Sequence, residues 1–208
     1  MSLEGLKLAV PRGALMGDTL DLLDRLGVDT AEVRSNDRKL LFGDVITMRP
    51  SDVPTYVEAG AADIGVTGKD VLSEQSERDV YELLDLGFGP CRMVFATVAG
   101  DDPAAEALRR LGVMRVATKY PKIAARHFER TGRQAEIVEV KGSVELAPLT
   151  GLVEGIVDLT ATGTTLRENG LVIREEIAAS TARLIANPVS HKLKAGAIDR
   201  LLERIRAA

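Results

Sequence analysis

Short apolar runs alternate with amphipathic segments along most of the chain. Residues 6–10 are a short apolar run, which predicts a strand, whereas residues 18–26 carry leucines at helical spacing and predict a helix. The same pattern predicts strands at 45–49, 62–68, 92–98, 115–118, 135–140, 171–175 and 181–186, and helices at 51–60 (with Ser51 as N-cap), 102–111, 123–130, 144–149 and 192–205. Strands that alternate with helices are typical of an α/β fold.

The most distinctive turn of this pattern runs from Asp158 to Leu166. An apolar run leads into the acid, and small and hydroxylated residues with one glycine follow it. Backbone N–H groups and hydroxyls at the start of a helix suit a phosphate. A carboxylate just before them can accept hydrogen bonds from sugar hydroxyls. The alternative is an ordinary strand, turn and helix with threonine caps.

Basic residues follow two of the predicted strands. Arg12 and Gly13 come directly after the first strand, and ligands in open α/β sheets gather at the carboxyl ends of strands. A plain connecting turn is the alternative there. Other basic residues occupy a hairpin-like region at 33–50, namely Arg34, Arg38, Lys39 and Arg49. These charged groups could converge on phosphate oxygens, which guanidinium groups bind in a bidentate fork, although a solvated charged face is the simpler explanation of this region.

The composition argues against several classes of function. The chain has 208 residues and a formal net charge of −4, which disfavours a nucleic-acid binder with a basic surface. Aromatic residues make up 3%, so base stacking is not expected to dominate ligand binding. A single cysteine, Cys91, is predicted to be a buried thiol and fits a reducing, cytoplasmic location. We see no signal peptide and no run of membrane-spanning length, so a membrane is not an expected partner.

Several short motifs occur in the order in which one enzyme family has them. They are Pro-Arg-Gly at 11–13, Ser-Asp-Val-Pro at 51–54, Ala-Asp-Ile-Gly-Val-Thr-Gly at 62–68, Ala-Thr-Lys-Tyr-Pro at 117–121, Gly-Ser-Val-Glu-Leu-Ala-Pro at 142–148, the turn at 158–166, and Glu-Asn-Gly-Leu at 168–171. Each motif alone is weak, but the ordered set spans nearly the whole chain. On these motifs the chain resembles the ATP phosphoribosyltransferase family, the first enzyme of histidine biosynthesis.

The resemblance implies a fold like that of type II periplasmic binding proteins, with two α/β lobes and a substrate cleft between them. The lobes are expected at residues 1–90 plus 179–208 and at 91–178, the second carrying the phosphoribosyl-binding loop. In the implied reaction, N1 of the ATP adenine attacks C1 of phosphoribosyl pyrophosphate. The attack inverts that carbon through an oxocarbenium-like state and releases magnesium pyrophosphate. A neutral ring nitrogen is a usable nucleophile, so catalysis should depend on positioning and on stabilising leaving-group charge.

The resemblance also implies roles for individual residues. Arg49 and Arg38 resemble the basic residues that face pyrophosphate and the ATP phosphates, and Arg49 is the better candidate for stabilising the leaving group. Asp158 resembles the partner of the ribose hydroxyls. The loop around the 5′-phosphate comprises Thr160, Ala161, Thr162, Gly163, Thr164 and Thr165. The nucleotide-binding set comprises Arg12, Gly13, Asp63, Tyr120, Ser143 and Glu145. No metal site on the protein is expected, because Mg²⁺ would arrive on substrate oxygens and need few protein ligands.

Longer family members continue into a C-terminal regulatory domain that binds histidine. This chain stops at Ala208 and resembles the short form without that domain. Short forms resemble partners of a separate regulatory subunit, which is similar to histidyl-tRNA synthetase and completes a hetero-octamer. Without that subunit, the resemblance implies a homodimer.

Two other functions are compatible with parts of this pattern. A solute-binding protein of the same fold would bind a small anion without chemistry, but the missing signal peptide and the turn at 158–166 count against it. A nucleobase-salvage phosphoribosyltransferase typically has two adjacent acids before its threonine-glycine loop. This chain has Val157 before Asp158.

Overall fold

The structure, a computed structural model, describes residues 3–207. The chain forms two compact units: the first runs to Gly89 and resumes at Thr181, and the second spans Pro90–Ser180. In chain order the elements are β1 (Leu8–Pro11), α1 (Met16–Arg25), α2 (Ala31–Ser35), β2 (Leu41–Phe42), β3 (Val45–Met48), α3 (Val53–Glu58), β4 (Ile64–Gly68), α4 (Lys69–Glu74), β5 (Tyr81–Asp85), β6 (Cys91–Val98), α5 (Pro103–Leu111), β7 (Met114–Thr118), α6 (Pro121–Arg130), β8 (Ala135–Glu139), α7 (Leu146–Leu149), β9 (Gly155–Thr160), α8 (Thr164–Glu168), β10 (Leu171–Ser180), β11 (Ala182–Ala186), α9 (Pro188–Leu193) and α10 (Ala195–Ala207).

The first unit is organised on a sheet that is buried on both faces. Its strands lie in the order β2-β3-β1-β4-β11-β5, and β1 pairs in parallel with both β3 and β4. Val10 packs in one core cluster with Leu20 of α1 and Ile198 of α10, whereas Ala9 packs in another with Val53 of α3. Because successive residues of a strand point to opposite faces, a short apolar strand serves both cores.

The second unit repeats this arrangement with a sheet in the order β10-β6-β9-β7-β8. β7 pairs in parallel with β8 and β9, whereas β6 pairs antiparallel with β9 and β10. Phe95 of β6 meets Phe128 of α6 edge to face, with 5.4 Å between ring centroids. On the other face Val94 shares a core cluster with Leu166 of α8. Leu166 therefore fixes the segment that follows β9 to the core.

The predicted α/β alternation is confirmed, but some local predictions are wrong. Asp52, not Ser51, precedes α3, because a turn closed by the 2.9 Å hydrogen bond from the Asp52 N–H to the Arg49 carbonyl delays the helix. The predicted helix at 192–205 is two helices. The first, α9, begins after Asn187, whose Oδ1 accepts from two backbone N–H groups. Cys91 is only partly buried.

Two further differences from the prediction lie in polar stretches of the sequence. No helix is predicted for the polar, hairpin-like region that starts at residue 33, yet α2 covers its beginning. β10 extends to Ser180, beyond the predicted end at 175, because an edge strand can keep its pairing while its side chains are charged. None of the helices in the described part of the chain is long and apolar enough to span a membrane.

Gly65 of β4 marks the closest approach between a helix and the sheet. A Cβ atom there would lie 2.6 Å from Cγ1 of Val53 and 2.9 Å from Cγ2 of Val57, both on α3. We therefore expect Gly65→Ala to lower the free energy of unfolding by about 1–3 kcal/mol, the usual cost of overpacking a core. The measurement is the unfolding midpoint in urea.

Gly17→Ala is the matched control for this substitution. Gly17 lies in α1, where an added Cβ would meet no heavy atom within 4 Å. The alanine should leave stability unchanged or raise it by up to about 1 kcal/mol, since glycine disfavours a helix. Equal midpoints for Gly65→Ala and the unmodified chain would contradict close packing of α3 on β4.

Candidate active site

The parallel strands of the second unit end at one edge of its sheet. β9, β7 and β8 are neighbours with parallel register, so the turns that follow them lie side by side. These turns come from three separate parts of the sequence. They carry Tyr120, Ser143, Glu145 and the loop that follows Asp158. The sheet thereby brings together most of the site residues predicted in this unit.

The carboxylate of Asp158 occupies a poorly solvated position near the end of β9. Its Oδ1 accepts a hydrogen bond of 2.8 Å from the N–H of Leu159. Burial raises the pKa of Asp158 to about 6, and the negative charge of Glu145 contributes, while the Leu159 N–H and the Lys119 ammonium group act against the increase. At neutral pH the carboxylate is ionised with few partners, so it can accept hydrogen bonds from hydroxyl donors.

The loop after β9 is held in shape by its own hydroxyl groups. Thr160 Oγ1 accepts a hydrogen bond of 2.8 Å from the N–H of Gly163. Gly163 has φ of +75°, in the left-handed region that glycine adopts without strain. The Oγ1 atoms of Thr162 and Thr164 are 2.9 Å apart. This compact turn leads directly into α8.

Most residues of this loop are accessible to a ligand. Thr162, Thr164 and Thr165 are exposed, as is Ala161, which can contribute only its backbone. N–H groups in the first turn of a helix have no intrahelical acceptor and carry partial positive charge. The loop therefore combines hydroxyl and amide donors in the way that phosphate-binding loops do.

The other predicted residues at this edge differ in accessibility. Tyr120 is largely buried in a core cluster with Ile123 and Phe128, so little of its ring is accessible for the predicted nucleotide contact. Ser143 is exposed and has φ of +48°, which is uncommon outside glycine. Strained residues of this kind cluster at functional sites. Glu145 is partly buried and influences Asp158 electrostatically.

In the first unit, the ends of β1 and β3 bring Arg12 and Arg49 to one edge. The N–H of Arg12 donates to the carbonyl of the residue before Arg49 at 2.7 Å. The guanidinium group of Arg12 donates to the carbonyl of Asp37, which brings the loop with Arg38 to the same edge. Arg38 and Arg49 have exposed side chains. Gly13, with φ of +85°, turns the chain towards α1.

Two other basic residues of the hairpin region do not join this group. Arg34 forms ion pairs with Asp21 at 2.6 Å and with Asp24 at 2.7 Å. Lys39 forms an ion pair with Glu32. The four basic residues therefore do not all converge on one point, because nearby carboxylates engage two of them.

Asp63 lies at the opposite edge of the first sheet, just before β4. Its carboxylate accepts hydrogen bonds from the N–H of Lys7 at 2.8 Å, the hydroxyl of Ser190 at 2.6 Å and the ammonium of Lys194 at 2.7 Å. Burial alone would raise the pKa of Asp63, but these hydrogen bonds bring it below its usual value. The structure thus gives Asp63 a role in joining the C-terminal segment to the sheet.

Two basic residues that were not predicted as site residues from the sequence lie at this edge of the second unit. Lys119 directly follows β7, and its positive charge partly opposes the rise in the pKa of Asp158 that burial causes. Arg167 donates to the Thr162 carbonyl and to Thr164 Oγ1, both at 3.0 Å. The spacing of Arg167 three residues after Thr164 was the available signal, because such residues share a helix face.

Comparison with known proteins identifies the family. The model of the HisG family, described as ATP phosphoribosyltransferase, matches residues 49–207. The chain belongs to this ATP phosphoribosyltransferase family. The resemblance predicted from the motifs is therefore confirmed, and the chain is an enzyme of the pentosyltransferase class.

Relatives within the ATP phosphoribosyltransferase family match along nearly their whole length. The ATP phosphoribosyltransferase of Rubrobacter xylanophilus is 52% identical, over 98% of this chain and 96% of its own. ATP phosphoribosyltransferase 2 of Geobacter sulfurreducens is 47% identical, over 94% of each chain. Among solved structures, a chain of the ATP phosphoribosyl transferase (HisG:HisZ) complex from Thermotoga maritima is 36% identical, covers 97% of both chains and has a TM-score of 0.81.

More distant structures share the fold alone. The periplasmic aliphatic sulphonate binding protein SsuA from Escherichia coli has a TM-score of 0.60 at 12% identity, covering 96% of this chain and 70% of its own. A periplasmic arginine-binding protein from Legionella pneumophila has a TM-score of 0.61 at 10% identity, covering 97% and 93%. The predicted fold of the type II periplasmic-binding-protein kind is confirmed.

The raised pKa of Asp158 predicts that this residue destabilises the family's fold at neutral pH. The folded state binds the proton more tightly than the unfolded state, so stability falls as pH rises from 3.8 to about 6. Asp158→Asn removes the charge, and we expect it to raise the free energy of unfolding by roughly 2–3 kcal/mol at pH 7.5. The gain should shrink to a fraction of a kcal/mol near pH 4, where the folded state of the unmodified chain is protonated and its unfolded state is about half protonated.

Urea unfolding at pH 7.5 and at pH 4 checks this expectation. Asp101→Asn, at an exposed position of the same unit, is the control and should leave the midpoint unchanged at both pH values. An Asp158→Asn variant that is no more stable than the unmodified chain at pH 7.5 would show that the carboxylate is well solvated or well paired.

Proposed function

We propose that this chain condenses ATP with phosphoribosyl pyrophosphate to give N1-phosphoribosyl-ATP and pyrophosphate, the first step of histidine biosynthesis. The observation that carries the proposal is the under-compensated carboxylate of Asp158 directly before a threonine-glycine loop, in a chain that belongs to the family of this enzyme. Sugar hydroxyls and a phosphate are the groups that such a pair of features binds.

Phosphoribosyl pyrophosphate is assigned to the second unit. The loop from Thr160 to Thr165 holds the 5′-phosphate through exposed hydroxyls and first-turn N–H groups. Asp158 accepts hydrogen bonds from the ribose hydroxyls. Ligand binding there supplies the partners that the carboxylate lacks in the protein alone, so part of the binding free energy comes from relieving an unfavourable burial.

The chemical step needs no protein nucleophile. The lone pair of adenine N1 forms the new bond to C1 of the ribose, while the electrons of the C1–O bond leave with pyrophosphate. Negative charge therefore grows on the leaving group, and fixed cationic donors lower the barrier. Arg49 is assigned to this charge, with Arg38 beside it on the same edge, and both guanidinium groups are accessible in the first unit.

The remaining assignments concern the nucleotide. Arg12 and Gly13 bind the nucleotide phosphates, since the hydrogen bond from the Arg12 N–H to the Met48 carbonyl holds this turn close to Arg49. Ser143 and Glu145 line the edge that carries Asp158 and contact a substrate there. Asp63 and Tyr120 are left out of the proposed site, because the protein itself engages the carboxylate and the ring.

Mg²⁺ is the metal of the proposed reaction, and it is expected to bind mainly to the substrates. It neutralises pyrophosphate charge when it is bound, and it usually combines one or two carboxylates with substrate phosphate oxygens. Asp158 and Glu145 supply carboxylate oxygens at the relevant edge and therefore fit such a hard cation. Within residues 3–207 no three acidic, histidine or cysteine side chains are grouped as a metal site would require.

A regulatory partner belongs to the same proposal. The Thermotoga maritima structure similar to this chain is a HisG:HisZ complex. By that similarity, a subunit of the HisZ kind, similar to histidyl-tRNA synthetase, binds this chain in a hetero-octamer, and the chain alone is a homodimer. The reaction consumes ATP, which supports the cytoplasm as its location.

A spectrophotometric assay with ATP, phosphoribosyl pyrophosphate and Mg²⁺ tests the function. We expect formation of phosphoribosyl-ATP, confirmed by mass, and none when either substrate is omitted. The assay is repeated with a HisZ-type subunit added. Absence of product under both conditions would refute the proposal. Tight binding of a small anion without turnover would instead favour a solute-binding protein of the same fold.

Arg49→Ala should mainly slow the chemical step. Loss of one preorganised donor to a developing negative charge costs about 2–4 kcal/mol in the barrier, so the single-turnover rate should fall by roughly 10²–10³. Arg25→Ala is the matched control, because Arg25 is an exposed arginine of the same unit at the end of α1. A single-turnover rate for Arg49→Ala equal to that of the control would remove Arg49 from the leaving-group site.

A further inference from the structure

Arg167 reaches back from α8 onto the loop assigned to the 5′-phosphate. Its Nη1 donates to the carbonyl of Thr162 and its Nη2 donates to Oγ1 of Thr164, both at 3.0 Å. The side chain lies across Gly163, where an added Cβ would be 3.2 Å from Nη1. A single guanidinium group thus connects the middle of the loop to the first turn of the helix.

These contacts determine which way the hydroxyl hydrogens of the loop point. Thr164 Oγ1 receives a charged donor from Arg167, which makes its own hydroxyl hydrogen a better donor. Thr162 Oγ1 lies 2.9 Å away and also receives the N–H of Thr164 at 3.3 Å. When the Thr164 hydroxyl donates to Thr162 Oγ1, both neighbours of that oxygen are donors, and the Thr162 hydrogen is directed away from the protein.

We propose that Arg167 is a positioning residue that, through Thr164, presents the Thr162 hydroxyl as a donor to the 5′-phosphate of phosphoribosyl pyrophosphate. The inference rests on the proposed function and deepens it, because it identifies what prepares the loop for an anion. The guanidinium group also adds positive charge beside a phosphate that carries negative charge. Arg167 acts through Thr162 and Thr164 and needs no contact with the reacting atoms.

This role predicts a selective kinetic effect. The 5′-phosphate does not change during the reaction, so a better-ordered loop stabilises ground state and transition state alike. Arg167→Ala should raise the KM for phosphoribosyl pyrophosphate about tenfold, as expected for the loss of charge-assisted hydrogen bonds at an exposed site. The kcat and the KM for ATP should stay within about twofold of the unmodified enzyme.

Steady-state kinetics of a small set of variants provides the test. Arg167→Lys keeps the charge but not the two-pronged geometry, and it should recover only part of the affinity. Arg109→Ala removes an exposed arginine of α5 that pairs with Glu106 in the same unit, and it should leave both KM values unchanged. Added guanidinium ion at millimolar concentration should lower the raised KM of Arg167→Ala and leave Arg109→Ala unaffected.

Titration with ribose 5-phosphate separates this inference from the proposed function. The unmodified chain should bind it about tenfold more tightly than Arg167→Ala, with equal unfolding midpoints for the two proteins. Equal affinities for ribose 5-phosphate, or a fall in kcat with an unchanged KM, would overturn the positioning role even in an active enzyme. A chain that binds ribose 5-phosphate through Arg167 but forms no phosphoribosyl-ATP would overturn the proposed function alone.

Discussion

Parallel pairing of a few short strands is the constraint on which the rest of the molecule depends. In the first unit β1 pairs in parallel with β3, and in the second β7 pairs in parallel with β8 and β9. The carboxyl ends of these strands therefore lie at one edge of each sheet. Every parallel strand must then be followed by a turn and a crossover, so residues far apart in sequence become neighbours without a long-range contact of their own. Arg12 and Arg49 in one unit, and Lys119 and Asp158 in the other, meet for this reason.

The same architecture serves proteins that perform no chemistry. Periplasmic binding proteins share the fold at 10–12% identity, so the fold alone carries no information about catalysis. In the proposed function the turns supply the chemistry: the Asp158 carboxylate beside the threonine-glycine loop binds a phosphorylated sugar, and exposed arginines stabilise a leaving group. Neither feature is part of the packed core, but the buried carboxylate of Asp158 lowers the stability of the second unit.

The sequence predicted much of the fold because buried strands and amphipathic helices leave strong periodic signals. The apolar runs at β1 and β7 are buried on both faces and were found within a residue or two. Elements whose signal is polar were missed, such as α2 and the end of β10. Site residues followed the same division: the turn at 158–166 was visible, whereas the engagement of Arg34 by Asp21 and Asp24 was not. Which partner satisfies a charge depends on tertiary contacts that no local pattern encodes.

The position of Asp158 joins these points. A carboxylate at the end of a buried strand loses hydration, and only one backbone N–H and the charge of Lys119 oppose that loss, while Glu145 adds to it. Replacement by an uncharged residue would raise the stability of the fold, so stability does not explain an acid at this position. Binding does explain it, because a carboxylate that lacks partners gains more free energy from hydrogen bonds with two sugar hydroxyls than a solvated carboxylate would. The residue that weakens the second unit is for that reason well prepared for the substrate contact proposed for it.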